Sequence, residues 1–95
     1  MFAVKVEYQV NEDYEIQIKK RISEFLAEFK NLDQSRFRYS VFQDRDSHTF
    51  VHLSEYQDDE IQKLLLTNSV FLKFQKERDK NLKVMPIITW LNCLP

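Results

Sequence analysis

Apolar and polar residues alternate at the start of the chain. The apolar positions are Phe2, Val4, Val6, Tyr8 and Val10, with mostly polar residues between them. A period of two is typical of a β-strand, because successive side chains point to opposite faces of the sheet. The pattern therefore predicts a first strand with one apolar face that helices must cover.

The spacing of apolar residues becomes helical after Asn11-Glu12-Asp13. These three residues offer an N-cap and an acidic first turn, which the helix dipole favours. Apolar residues then recur about every 3.6 positions over about five turns. They are Tyr14, Ile18, Ile22, Phe25, Leu26, Phe29 and Leu32. The pattern predicts a long amphipathic helix that ends within 31–34.

Two further alternating segments, 36–43 and 48–53, flank the polar stretch 44–47. Strands joined by so short a polar turn are expected to form a hairpin. The predicted register places Tyr39 near His52 and Val41 near Phe50 on one face. It places Arg38 near Leu53 and Phe42 near Thr49 on the other. Both faces then carry apolar groups, so we expect both to be covered.

A second, interrupted helix is predicted to start near Asp58. Ile61, Leu64 and Leu65 have helical spacing, and Val70, Phe71 and Phe74 resume it after 67–69. The interruption, Thr67-Asn68-Ser69, consists of residues that compete for backbone hydrogen bonds and favour caps. We therefore expect the helix to break or change axis there.

The last segment, 82–94, is rich in residues that favour a strand. Pro86 lacks a backbone N–H and marks an edge position or a bulge. The element order is then β-α-β-β-α-β in a single domain, 1–95. This order predicts a ferredoxin-like α+β fold, with two helices on one face of a four-stranded antiparallel sheet.

The second face of this sheet is predicted to be too apolar to face water. It would carry Phe42, Val51, Leu53 and one row of the last strand. A two-fold, self-complementary contact with a second copy buries such a face most simply. We therefore expect a homodimer through the open sheet face.

Composition narrows the possible partners and functions. The net charge is -1, glycine is absent and Cys93 is the only cysteine. A net charge close to zero argues against nucleic acid as a binding partner. No segment reaches the roughly 20 apolar residues needed to span a membrane. Phosphate-binding loops require glycine, so the familiar nucleotide sites are not expected. A single cysteine excludes an internal disulfide and fits a soluble, cytoplasmic protein.

The helix, the hairpin and above all the segment FVHLSEYQDDEIQKLLLTNSVFLKFQ resemble the antibiotic biosynthesis monooxygenase-like family over roughly residues 2–92. The resemblance implies a dimeric α/β barrel in which two sheets pack face to face. It implies a pocket between each sheet and its own helices. Enzymes of this family oxidise small aromatic or quinol-type molecules with dioxygen, without metal or flavin, and relatives degrade haem.

This chain departs from the family's functional residues. Many members have a histidine near the position of Leu65 and another at the position of Val70. Haem-degrading relatives have an asparagine, a tryptophan and a histidine where this chain offers Glu7 or Tyr8, Leu64 or Leu65, and Phe74 or Gln75. A haem-degrading activity is therefore not expected.

His52 and Tyr39 are the predicted catalytic pair. An imidazole titrates near neutrality, so His52 could act as a general base toward a phenolic substrate. The alternative is a structural histidine whose hydrogen bonds a tyrosine or a carbonyl satisfies. His48 shares the predicted strand face, but about 13 Å of strand separates it from His52, too far for a shared metal.

Four aromatic residues are predicted to line a ligand pocket: Tyr8, Tyr14, Phe71 and Trp90. Core packing is the alternative for the tyrosines, and a place in the core or the dimer interface is the alternative for Trp90. The functional prediction is a monooxygenase that needs no metal or other cofactor and acts on a small aromatic or quinol-type molecule. The alternative is a non-catalytic dimer that binds a small apolar or aromatic molecule or serves in regulation.

Overall fold

A computed structural model describes residues 1–95 and shows the predicted order of elements. The strands are β1 (Phe2–Val10), β2 (Phe37–Gln43), β3 (Phe50–Tyr56) and β4 (Leu82–Asn92). The helices are α1 (Glu15–Phe29), α2 (Asp59–Leu66) and α3 (Ser69–Asp79), and a 3-10 turn, Glu12–Tyr14, precedes α1. None of the helices is long and apolar enough to cross a bilayer.

The four strands form one antiparallel sheet in the order β2-β3-β1-β4. This is the predicted ferredoxin-like topology. The core lies between the sheet and the helices. The helices contribute Ile18, Ile22, Phe25, Phe29, Ile61, Leu65, Phe71 and Phe74, and the strands contribute Val4, Tyr8, Val10, Phe50 and Tyr56.

The predicted break in the second helix is confirmed as the junction of α2 and α3. The Asn68 side chain accepts hydrogen bonds from the backbone N–H groups of Val70 and Phe71. Asp58 caps α2 in the same way by accepting from the Ile61 N–H. Each cap satisfies N–H groups that have no partner within the helix.

We expect Asn68→Ala to lower the free energy of unfolding by about 1 kcal/mol, because the first turn of α3 loses its capping oxygen. A change of that size lowers the melting temperature of a small domain by about 4–8 °C. The matched control is Asn31→Ala, which removes an exposed asparagine whose side chain makes no hydrogen bond. Equal melting temperatures for the two variants would contradict the capping role.

The hairpin register differs from the prediction by two residues. Tyr39 pairs with Ser54, and Val41 pairs with His52. The reason is a longer turn, because the third strand begins at Phe50 and leaves His48 outside it. A shift of two residues keeps every side chain on its predicted face.

His48 makes the turn possible by adopting a left-handed backbone conformation, with a φ of 62°. Glycine usually takes such positions, but this chain has none, and here the residue is histidine. Asp44 supports the turn by accepting hydrogen bonds from the N–H groups of Asp46 and Ser47. His48 and His52 therefore do not share a strand face.

Pro86 lies on an edge strand and also at an irregularity. The pairing of β1 with β4 runs from Glu7 with Ile87 to Gln9 with Val84, which shifts the register by one residue. The predicted edge position and the predicted bulge are therefore both confirmed. Because Pro86 has no backbone N–H, it is tolerated where β4 lies at the sheet edge and its pairing with β1 is irregular.

The face of the sheet opposite the helices carries apolar side chains, as predicted, and several of them are exposed. Phe42 is 57% exposed and Ile87 is 59% exposed. Leu53, Val84 and Leu91 are exposed on the same face. We call these five residues the open-face patch.

Candidate functional site

A cavity of about 170 Å³ lies between the sheet and the helices α2 and α3. Its apolar lining comes mainly from β1, the two helices and the edge strand β4: Val4, Val6, Leu66, Phe71, Ile88 and Trp90. Trp90 is 65% exposed, because the helices leave this side of the edge strand β4 uncovered. The cavity is therefore bounded on one side by aromatic surface in contact with solvent.

His52 forms the polar centre of the cavity wall. The pleat of β3 directs it toward the helices, and only 2% of the residue is exposed. Its Nε2 lies 2.7 Å from the Tyr8 hydroxyl, and its Nδ1 lies 2.8 Å from the Tyr39 hydroxyl. The rings of Phe25 and Phe74 pack against the imidazole. Both ring nitrogens are therefore occupied.

All three members of this hydrogen-bond chain are neutral at neutral pH. Burial, with a smaller contribution from the charge of Arg78, lowers the pKa of His52 to about 3. Burial also raises the pKa of the Tyr8 and Tyr39 hydroxyls. We call these three residues the Tyr8-His52-Tyr39 chain.

The structure brings some of the predicted site residues together and separates others. His52 and Tyr39 are in contact, and Phe71 and Trp90 line the cavity with them. Tyr8 lies beneath His52 and contributes its hydroxyl, although it is not part of the lining. Tyr14 packs at the start of α1 and does not reach the cavity. A proton-acceptor role for His52 remains a prediction, and it would require transfer through Tyr39.

Arg78, the positive charge of the site, was not predicted from the sequence. Its guanidinium carbon lies 5.3 Å from the centre of the Tyr8 ring and 5.6 Å from that of Phe74. The Nε and Nη2 groups donate to Asp79 Oδ1, whereas Nη1 has no hydrogen-bond partner within the protein. The spacing of Phe71, Phe74 and Arg78 at i, i+3 and i+7 was the available signal, because it puts them on one helix face.

The polar lining is rich in donors. It includes Ser54, Tyr56, Gln62, Gln75 and Arg78 beside His52 and Tyr39, and no carboxylate contributes to it. Such a cavity can hold a flat apolar ring and hydrogen-bond an oxygen on that ring.

No family model and no curated protein sequence matches the chain. Solved structures do match. A crystal structure of an antibiotic biosynthesis monooxygenase has a TM-score of 0.85 at 13% identity, with 100% of both chains covered. A candidate antibiotic biosynthesis monooxygenase from Nitrosomonas europaea has a TM-score of 0.86 at 13% identity, also with 100% of both chains covered.

A third similar structure is a candidate antibiotic biosynthesis monooxygenase from Caulobacter crescentus. It has a TM-score of 0.86 at 14% identity, and the match covers 99% of this chain and 90% of that one. These likenesses confirm the predicted resemblance at the level of the fold. The protein has the ferredoxin-like α+β fold of structures named antibiotic biosynthesis monooxygenase, with a buried tyrosine-histidine-tyrosine chain at its cavity.

Proposed function

We propose that the protein binds a small phenolic or quinol-type molecule in this cavity and oxidises it with dioxygen, without metal or flavin. The observation that carries the proposal is an apolar cavity with the Tyr39 hydroxyl and His52 in its wall. An apolar protein cavity of about 150 Å³ is known to hold benzene. A volume of about 170 Å³ therefore suits a molecule with one aromatic ring.

The proposed reaction converts a phenol to a quinone. One oxygen atom of O₂ replaces a ring hydrogen as a carbonyl, and the other leaves as water with the two hydrogens that the phenol loses. The substrate supplies all the electrons, so no external reductant is needed. Tyr39 would contact the substrate oxygen, and His52 would hold the Tyr39 hydroxyl in place. The phenolic proton would be lost to solvent.

Oxygen uptake by the purified protein with a panel of phenols and quinols tests the proposal. We expect Tyr39→Phe to lower kcat/KM by about tenfold, because one hydrogen bond to the reacting oxygen is worth about 1 kcal/mol or slightly more. Tyr14→Phe removes a hydroxyl that is not part of the cavity lining and should leave the rate unchanged. Equal rates for Tyr39→Phe and the unmodified protein would remove Tyr39 from the reaction.

Non-catalytic binding of a small aromatic molecule is the second candidate function. The specific observation in its favour is that neither nitrogen of His52 is free to take a proton from a ligand. Thermal stabilisation by phenols, without oxygen uptake by any of them, would support this function over the first.

We also propose that the open-face patch pairs with the same patch of a second copy. Three of the exposed apolar side chains, Val84, Ile87 and Leu91, form a row along the edge strand, and Phe42 lies on the opposite edge strand. Exposed apolar side chains on both edge strands and on β3 fit a self-complementary two-fold contact.

A further inference from the structure

The direction of the hydrogen bonds in the Tyr8-His52-Tyr39 chain follows from a proton count. A neutral imidazole carries one N–H, and each tyrosine carries one O–H, so three protons are available. Two hydrogen bonds use two of them. One tyrosine proton is therefore left to donate elsewhere.

Burial decides which tyrosine keeps the unused proton. Tyr8 is 1% exposed, and its hydroxyl has no partner other than His52. If Tyr8 accepted from His52, its own proton would be buried without an acceptor, which costs about 1–3 kcal/mol. Tyr8 therefore donates to Nε2, and the Nδ1–H of His52 donates to Tyr39. The Tyr39 proton is left without an acceptor in the protein, and Tyr39 lines the cavity, where a ligand could accept it.

Arg78 supplies a second unused donor at the same cavity. Its side chain is 13% exposed, and its Nη1 group makes no hydrogen bond within the protein. Asp79 engages the other edge of the guanidinium but does not line the cavity. The lining thus includes one cation, no carboxylate and the Tyr39 hydroxyl, whose proton has no acceptor in the protein.

We infer that the cavity selects a single-ring aromatic molecule that carries an oxyanion, either a ring carboxylate or a phenolate. The oxyanion would accept from the Tyr39 hydroxyl, and the Arg78 charge would compensate it. The inference deepens the proposed function and rests on its assumption that an aromatic ring occupies this cavity. A charge-assisted hydrogen bond is about twice as strong as a neutral one, so the selection should be measurable.

Isothermal titration calorimetry at pH 7.5 with three ligands of similar shape tests the selection. They are benzoate, neutral benzamide and cationic benzylamine. We expect benzoate to bind about tenfold or more tightly than benzamide, and benzylamine to bind least. We expect Arg78→Gln to abolish the preference and Arg78→Lys to keep part of it. Arg36→Gln, which removes a cation outside the cavity lining, should change nothing.

A second measurement uses the unmodified protein and distinguishes a phenolate from a carboxylate. The absorbance of 4-nitrophenol reports its ionisation, and binding should lower its apparent pKa if the cavity prefers the phenolate. An unshifted pKa together with a preference for benzoate would restrict the selection to carboxylates. The inference would be overturned if benzoate were not preferred and the pKa of 4-nitrophenol did not shift. Failure of all four ligands to bind would overturn it as well.

The outcomes also separate this inference from the proposed reaction. Binding of benzoate through Arg78 without oxygen uptake on any phenol would refute the reaction and keep the anion selection. Oxygen uptake on quinols without any preference for anions would keep the reaction and refute the selection.

Discussion

We expect Leu53→Lys to convert the proposed dimer into a monomer. Leu53 lies on a central strand of the open face, between Lys5 and Ser40 in the sheet. In the proposed dimer a lysine there would place an unpaired charge in a dry interface, next to an existing lysine. Burying an unpaired charge costs several kcal/mol, and this cost should outweigh the free energy of association of a small interface. Phe42→Lys should act in the same way from the edge of the patch.

Sedimentation velocity at several protein concentrations measures this effect. The matched control is Leu64→Lys, because Leu64 is a similarly exposed leucine on α2, on the helix side of the sheet. The dissociated variants should also lose any dependence of the melting temperature on concentration. Intact dimers in both open-face variants would mean that another surface forms the contact, and a monomeric unmodified protein would refute the dimer itself.

The second large effect concerns pH. We expect the free energy of unfolding to fall by about 2 kcal/mol between pH 7 and pH 5, because of His52 alone. The pKa of His52 is about 3 in the folded protein, against an ordinary value of 6.5. Between these values the unfolded chain binds a proton that the folded protein does not. Stability from the neutral, buried imidazole is therefore full above pH 6.5 and declines as the pH falls toward 3.

Urea unfolding at pH 7, 6 and 5 measures this slope. The carboxyls of Asp33, Asp44 and Asp58 have a pKa below their usual 3.8, so they contribute mainly at lower pH. His52→Phe should be less stable at pH 7, since both tyrosines lose a partner, yet its stability should change little down to pH 5. A slope that survives His52→Phe would contradict a buried neutral imidazole as its source.

The order of elements and the faces of the strands could be read from periodicity, because both depend on local geometry. Alternation in β1 assigned its buried row correctly, and the capping residues around Asn68 located the break between α2 and α3. The hairpin register was wrong by two residues. A register depends on the path of the turn, and the left-handed conformation of His48 has no signature in the residue pattern.

The candidate site was only partly predictable. The contact of Tyr39 with His52 followed from neighbouring strands on one face. The bond from Tyr8 to His52 joins positions 44 residues apart, and the place of Arg78 above Tyr8 depends on how α3 crosses the sheet. Tyr14 was expected at the pocket, but the start of α1 holds it elsewhere in the core.

From its residue pattern alone, this chain could be assigned a βαββαβ sheet that is apolar on both faces. That assignment holds because burial repeats every two residues in strands and every 3.6 in helices. Only the tertiary structure shows that His52 is neutral, how its hydrogen bonds are directed and that Arg78 lines the cavity. Desolvation and hydrogen-bond geometry arise between segments that are distant in the chain, and no local pattern encodes them.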